Sequence, residues 1–212
     1  MAAHTEWQPC QTIPGGVTMS WRHGVRMGLV LFFLLWMLPL PPLLAKEPGD
    51  AIPPAREAYV LWKQGYLLHL LGEYEGAIER FSKSIEIFPT AEGYTFRGWS
   101  LSMLGRFEEA IAECKEAIGV DPHYGNPYND IGVYLIDLGR PDEAIPWLRK
   151  AMRAKRYCCY QFPHFNLGRV LVMRGRVSEA RRSFENALEF APEYAPALKA
   201  LELIRKHGLE PI

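Results

Sequence analysis

Apolar residues recur along most of this chain at three-to-four-residue spacing, and the recurrence itself repeats. Four segments align: GEYEGAIERFSKSIEIFP at 72–89, GRFEEAIAECKEAIGVDP at 105–122, GRPDEAIPWLRKAMRAKR at 139–156 and GRVSEARRSFENALEFAP at 175–192. Their leading glycines, Gly72, Gly105, Gly139 and Gly175, are 33, 34 and 36 residues apart. The residues ahead of them align too, as LWKQGYLLHLL, YTFRGWSLSML, YNDIGVYLIDL and HFNLGRVLVMR. In each, a second glycine (Gly65, Gly98, Gly132, Gly168) stands seven positions before the first. Each unit therefore carries two apolar stripes of helical period divided by a glycine turn, which predicts an antiparallel pair of helices.

The mid-helix glycines each cost about 1 kcal/mol of helix propensity relative to alanine. A cost repeated in every unit predicts a close approach by the other helix of the same hairpin. Ala77, Ala110, Ala144 and Ala180 supply a small residue on that second helix, and Phe81, Cys114, Leu148 and Phe184 fill a larger slot four positions on. Pro89, Pro122 and Pro192 are placed to end it.

This order of glycine, aromatic, alanine, bulky residue, alanine and proline resembles the tetratricopeptide repeat family, over about two-thirds of the chain. The resemblance implies an all-α fold: a right-handed superhelical solenoid of about four hairpins plus a C-terminal capping helix. The units are expected at about 58–90, 91–124, 125–160 and 161–194, within a domain at 54–212, with the capping helix at 195–208. Pro53 and Pro54 mark its start, after a linker at 46–53. Four positions depart from the family pattern: Pro141 replaces an aromatic, Arg156 a closing proline, and Gln64 and Arg97 apolar residues. Looser local packing is expected there.

The N-terminal 45 residues read differently. Arg22, His23 and Arg26 precede the uncharged GLVLFFLLWML at 28–38, and Pro39, Pro41 and Pro42 lead to Leu43-Leu44-Ala45. Basic, apolar and breaker segments in this order form a secretory signal. The apolar run, 27–45 at its widest, is either a signal peptide cut near Ala45 or a signal anchor of marginal spanning length. Both readings place the repeat domain outside the cytoplasm, in a bacterial periplasm, secreted, or anchored to a membrane through this segment alone. Residues 1–18 read as unstructured, and Met19 is an alternative start.

Composition narrows the function. With 24 Lys+Arg against 24 Asp+Glu, the formal net charge is zero, which excludes a global basic field for nucleic acid. The four cysteines (Cys10, Cys114, Cys158, Cys159) show no CxxC pair and no metal spacing, and no cofactor or metal is implied. Vicinal Cys158 and Cys159 raise thiol chemistry as a remote reading, against two ordinary half-buried thiols. The acidic pairs Glu108-Glu109 and Asp142-Glu143 open second helices, where the helix dipole favours them without any acid–base role. No catalytic motif is found, so the expectation is a binding protein rather than an enzyme.

The resemblance further implies that the first helices line a concave face. Carried over residue by residue, this puts Tyr59, Trp62, Tyr66, His69, Phe96, Trp99, Asn126, Asn129, Asp130, Phe165, Asn166 and Arg169 in a partner-binding groove. Family members that grip the terminal carboxylate of chaperones use Lys, Asn and Arg at slots that here hold Trp62, Tyr66, Phe96, Asn126 and Asp130, so that clamp is absent. The aromatic N-terminal half suits an apolar, proline-rich or amphipathic peptide or protein. The leading expectation is an extracytoplasmic scaffold for assembly or maturation. The alternative is a membrane-anchored structural protein that forms a homodimer through the aromatic half.

Overall fold

The glycine-punctuated pattern folds as helical hairpins. A computed structural model describes residues 53–207. Among the described residues nine helices follow one another without a strand: α1 (Pro54–Leu70), α2 (Tyr74–Ile87), α3 (Ala91–Met103), α4 (Phe107–Val120), α5 (Asn126–Asp137), α6 (Pro141–Ala151), α7 (Gln161–Met173), α8 (Val177–Phe190) and α9 (Ala195–Lys206). The array is an all-α solenoid of four hairpins and a ninth helix. The apolar run expected over 27–45, the linker up to 52 and the last residue of the expected capping helix lie outside the described residues. Among the described residues no helix is long and apolar enough to cross a membrane.

Each hairpin turns on a left-handed glycine: Gly72, Gly105, Gly139 and Gly175 have φ of 83°, 76°, 73° and 69°. The residue after each glycine donates its N–H five residues back, as Glu73 does to Leu68 (2.9 Å) and Arg140 to Leu135 (2.8 Å), which satisfies a carbonyl the helix end would otherwise orphan. The other glycine of each unit answers to space instead. A Cβ on Gly132 would lie 2.5 Å from Leu148 Cδ2, and one on Gly168 would collide with Cε1 of the Phe184 ring. In the first, third and fourth units the second helix thus presses Phe81, Leu148 or Phe184 onto the glycine of the first, whereas Gly98 in the second unit meets the Ala110 carbonyl (3.1 Å) before Cys114 (3.6 Å).

Hairpins stack through a continuous core. Its centre joins Leu101, Ile111 and Cys114 of the second repeat to Ile131, Leu135 and Leu148 of the third and Val170 of the fourth. α9 packs on α8 through Ala197 and Ile204. It carries Glu202, exposed, in the register where α1, α3, α5 and α7 carry the close-approach glycine. Among the described residues no second helix presses there, and Lys199, Glu202, Arg205 and Lys206 leave the outer side polar, which suits a capping helix.

The departures from the family pattern do not loosen the packing. Arg97 forms a two-pronged pair with Glu113 (2.9 and 2.8 Å) and reaches Ser82 Oγ (3.0 Å), so a charged pair fills an apolar slot. Arg156 lies in the connection after α6, bridging backbone to backbone with Tyr124. Its guanidinium covers the Tyr124 ring at 4.1 Å and pairs with Asp121 and Glu92. Pro141 occupies the first turn of α6, where its missing N–H costs nothing. Gln64 is exposed, because no described helix precedes α1.

Candidate functional site

The first helices form one layer of the array. Side chains of successive first helices meet directly: Trp62 of α1 meets Phe96 of α3 at 5.0 Å between ring centroids, and Asn166 of α7 donates to Asn129 of α5 at 3.1 Å. In a curved stack, elements that approach one another across a repeat lie on the inner side. Most of the candidate residues lie in this layer, where they split into two chemically distinct halves.

The N-terminal half is aromatic. Tyr59, Trp62 and Tyr66 recur three and four residues apart on α1, so their rings stack along the helix at 6.1 and 5.6 Å, within 6° of parallel. Phe96 meets both Trp62 and Tyr66 edge-on, at 5.0 and 5.4 Å, and Trp99 continues the run 5.8 Å beyond. Offset and edge-to-face contacts of this kind suit ring quadrupoles. Exposure varies along the run: Tyr59 is 47% exposed, Trp62, Tyr66 and Trp99 are half-buried, and Phe96 is buried. The Trp62 indole N–H is buried and makes no hydrogen bond among the described residues.

His69 closes this half from below, 4% exposed and against Trp99 at 3.9 Å. Its Nδ1 lies 2.9 Å from Ser100 Oγ, which also lies 3.1 Å from the Phe96 carbonyl. A Ser100 hydroxyl that donates to the Phe96 carbonyl leaves Nδ1 as the donor of this pair. Burial lowers the His69 pKa to about 4, so the imidazole is neutral in ordinary conditions.

The C-terminal half is a polar relay. Arg169 Nη1 donates to Asn166 Oδ1 (3.2 Å), Asn166 Nδ2 to Asn129 Oδ1 (3.1 Å), and Asn129 Nδ2 to Asp130 Oδ1 (3.3 Å). Arg169 also lies 3.7 Å from Asp137. Asn129, Asp130 and Asn166 are buried, while Arg169 is half-buried at the open end. Burial pushes the Asp130 carboxyl up to about 7, against the opposing pull of the Asn129 amide.

Two predicted residues stand apart. Asn126 is buried at the first position of α5 and joins neither half. Phe165 turns toward the C-terminal end, packing on Phe184 (5.5 Å) and Tyr194 (5.4 Å). There it helps line an apolar recess with Val172, Met173 and Leu203 that the sequence reading did not single out, because α9 was assigned only a capping role. Ser100, the partner of His69, was also missed, since its pairing crosses repeats.

Of the vicinal cysteines, Cys158 is disulfide-bonded and Cys159 is a thiol with no sign of activation. Cys158 and Cys159 have their sulfurs 3.1 Å apart, and burial raises the Cys159 pKa, the direction opposite to a reactive thiolate. Among the described residues no group of three His, Cys, Asp or Glu side chains could hold a metal ion.

Models of the tetratricopeptide repeat match residues 59–91, 96–157 and 162–194. Small glutamine-rich tetratricopeptide repeat-containing protein 2 of Mycosarcoma maydis is 33% identical over 81 residues, covering 38% of this chain and 23% of the relative. The human mitochondrial import receptor subunit TOM70 is 24% identical over 177 residues, covering 78% of this chain and 29% of that protein. The match thus spans less than a third of either relative. Among solved structures, pilF of Pseudomonas aeruginosa superposes with a TM-score of 0.68 at 20% identity, over 73% of this chain and 71% of that one.

Proposed function

The chain belongs to the tetratricopeptide repeat family, and on that premise we propose that it is an interaction scaffold whose inner face holds a segment of another protein. The observation that carries this reading is the unbroken aromatic run from Tyr59 to Trp99 on that face, with the buried, unpartnered Trp62 N–H beside it. Half-buried aromatic side chains give large contact area at low entropic cost and dominate binding surfaces. Beyond the aromatic half, Arg169 and the asparagine relay offer donors and acceptors to a peptide backbone. The ligand that fits is an extended proline-rich or amphipathic segment, its apolar residues on the rings and its polar groups on the relay. The relatives support a polypeptide partner by kind, an import receptor subunit among them.

The array works outside the cytoplasm in this reading, delivered there by the signal-like run at 27–45, as a factor in assembly or maturation of an envelope or secretory complex. A reporter fused after Ile212 decides the location: an enzyme active only outside the cytoplasm must be active. If it works only inside, the export reading fails. The groove is tested by panning a displayed library of proline-rich and amphipathic peptides against the full chain. Selected peptides must lose affinity on Trp62→Ala with Trp99→Ala, and also on Tyr59→Glu, which lies at an exposed ring and leaves the helices intact. Selected peptides that bind all three proteins equally would place binding elsewhere.

A further inference from the structure

α1 has three faces, and the proposed function uses one of them. Tyr59, Trp62 and Tyr66 face the inner layer, while Ala58 and Gly65 face α2. The third face carries Val60, Gln64, Leu67 and Leu71 at spacings of 4, 3 and 4 residues. Val60, Leu67 and Leu71 are 47%, 58% and 67% exposed, in an aliphatic stripe about 16 Å long at 1.5 Å per residue.

The same register recurs in every other first helix, and there it is covered. Val60 corresponds to Gly93, Pro127, Pro163 and Ala197, all buried. Leu67 corresponds to Ser100, Tyr134, Val170 and Ile204, at most 6% exposed. In α3, α5, α7 and α9 a second helix lies on this face. The two ends of the array thus differ in kind. Among the described residues α9 presents a charged outer side, whereas α1 presents the inter-repeat interface apolar and uncovered.

Residues just upstream are poorly suited to cover it. Second helices here are 11–14 residues long and end 3–9 residues before the next first helix. Any such helix before Pro54 would contain at least two of Pro39, Pro41, Pro42 and Pro48, which a helix interior rejects.

We propose that the α1 stripe is the contact between two copies of this chain, packed antiparallel about a two-fold axis. The 4-3-4 spacing reads the same in both directions, so Val60 of one copy meets Leu71 of the other, and Gln64 meets Leu67. A two-fold contact requires such self-complementarity. Antiparallel packing opposes the helix dipoles favourably. It also brings Arg56, at one end of the stripe, toward Glu73, at the other, and neither makes an ion pair among the described residues. One helix pair covers less than the about 800 Å² per partner of a standard interface, so the dimer is concentration-dependent. This leaves both inner faces free and does not rest on the groove reading.

Sedimentation velocity of the full chain in mild detergent, over a concentration series, tests it. A monomer–dimer equilibrium is expected, weakened at least about tenfold by Leu67→Glu or Leu71→Glu, since a charge at an aliphatic contact must be desolvated. Helicity and melting stay unchanged in both variants, because both side chains already face water. Under mild oxidation a mixture of Gln64→Cys and Leu67→Cys chains gives a disulfide-linked dimer, and Lys83→Cys, on α2, gives none. A wild type monomeric throughout overturns the proposal, as does a dimer indifferent to both glutamates. So does a dimer lost on replacing the apolar run at 28–38 but kept in Leu67→Glu, since that assigns the contact to the N-terminal segment.

Discussion

Asp130 ends the polar relay as an acceptor, and its replacement by asparagine should make the protein more stable at neutral pH and above. The carboxyl is buried, accepts one hydrogen bond from Asn129 and has a pKa of about 7 in the fold, against 3.8 for the free side chain. The difference of about three units corresponds to about 4 kcal/mol between the two protonation states. The sign follows from where the proton binds more tightly. Below pH 4 the carboxyl is protonated in both states and costs nothing. Between pH 4 and 7 the folded state holds a proton that the unfolded state has released, so stability falls as pH rises. Above 7 both states are ionised and the full penalty persists. An asparagine at this position is isosteric and neutral, and can accept the Asn129 hydrogen bond through its own carbonyl oxygen.

Urea unfolding followed by circular dichroism, from pH 4.5 to 8.5, measures this directly. The advantage of Asp130→Asn over wild type should be small near pH 4.5, grow through pH 7 and level off above it. The plateau should be a few kcal/mol, with about 4 as an upper bound. Other titrating groups are common to both proteins and cancel in the difference. A difference that does not vary with pH, or an asparagine variant less stable at pH 8, would refute the argument that burial sets the carboxyl's behaviour.

Three further outcomes follow from the same geometry. His69 is held neutral with a pKa of about 4, so its contribution is intact above the unfolded value of 6.5 and is lost as pH falls toward 4; His69→Phe should flatten the acid limb of the stability curve in that window. Gly168→Ala drives a Cβ into the buried Phe184 ring and should destabilise by about 1–3 kcal/mol in thermal unfolding, whereas Gly119→Ala, with open space around it in α4, should gain about 0.5–1 kcal/mol. Arg97→Leu strands a half-buried Glu113 and should cost about 3 kcal/mol at pH 7, most of which the Arg97→Leu, Glu113→Leu pair recovers.

The hairpin array was legible because its signals are local and repeated. A left-handed glycine, a glycine under a large residue and a proline past a helix end each leave a mark within one unit, and the repetition fixes their phase. What joins one unit to the next was less legible. Gln64 and Arg97 hold the same slot, yet the first is exposed and the second is bound to Glu113 of its own hairpin and to Ser82 of the one before, while the register of Glu113 holds Arg80 in the first hairpin. Phase alone put Asn129, Asn166 and Arg169 on one face, but it carried no information on depth, and the two asparagines are buried while Arg169 is not. Phe165 shares that phase and still packs toward the C-terminal end, against Phe184 of α8 and Tyr194, the residue that precedes α9.

The contrast between the two ends of the array bears on how such a protein is used. A repeat stack carries its inter-repeat interface at every join, so each end presents either that interface or something that replaces it. At the C-terminal end the replacement is visible: Glu202 stands where a glycine would admit another helix, and lysines and arginine surround it. At the N-terminal end Val60, Leu67 and Leu71 keep the interface as it is inside the array. Leaving such a stripe in water forfeits about 25 cal/mol for each Å² of apolar surface that a contact would cover. Three charged substitutions on α1 would suffice to remove it, as Lys199, Glu202 and Arg205 do on α9. The aliphatic stripe and the aromatic run occupy different sides of the same helix, so occupancy of one does not block the other. A chain joined to its copy through α1 would present two inner faces at once, and a partner carrying two matching segments would gain from both without any new contact.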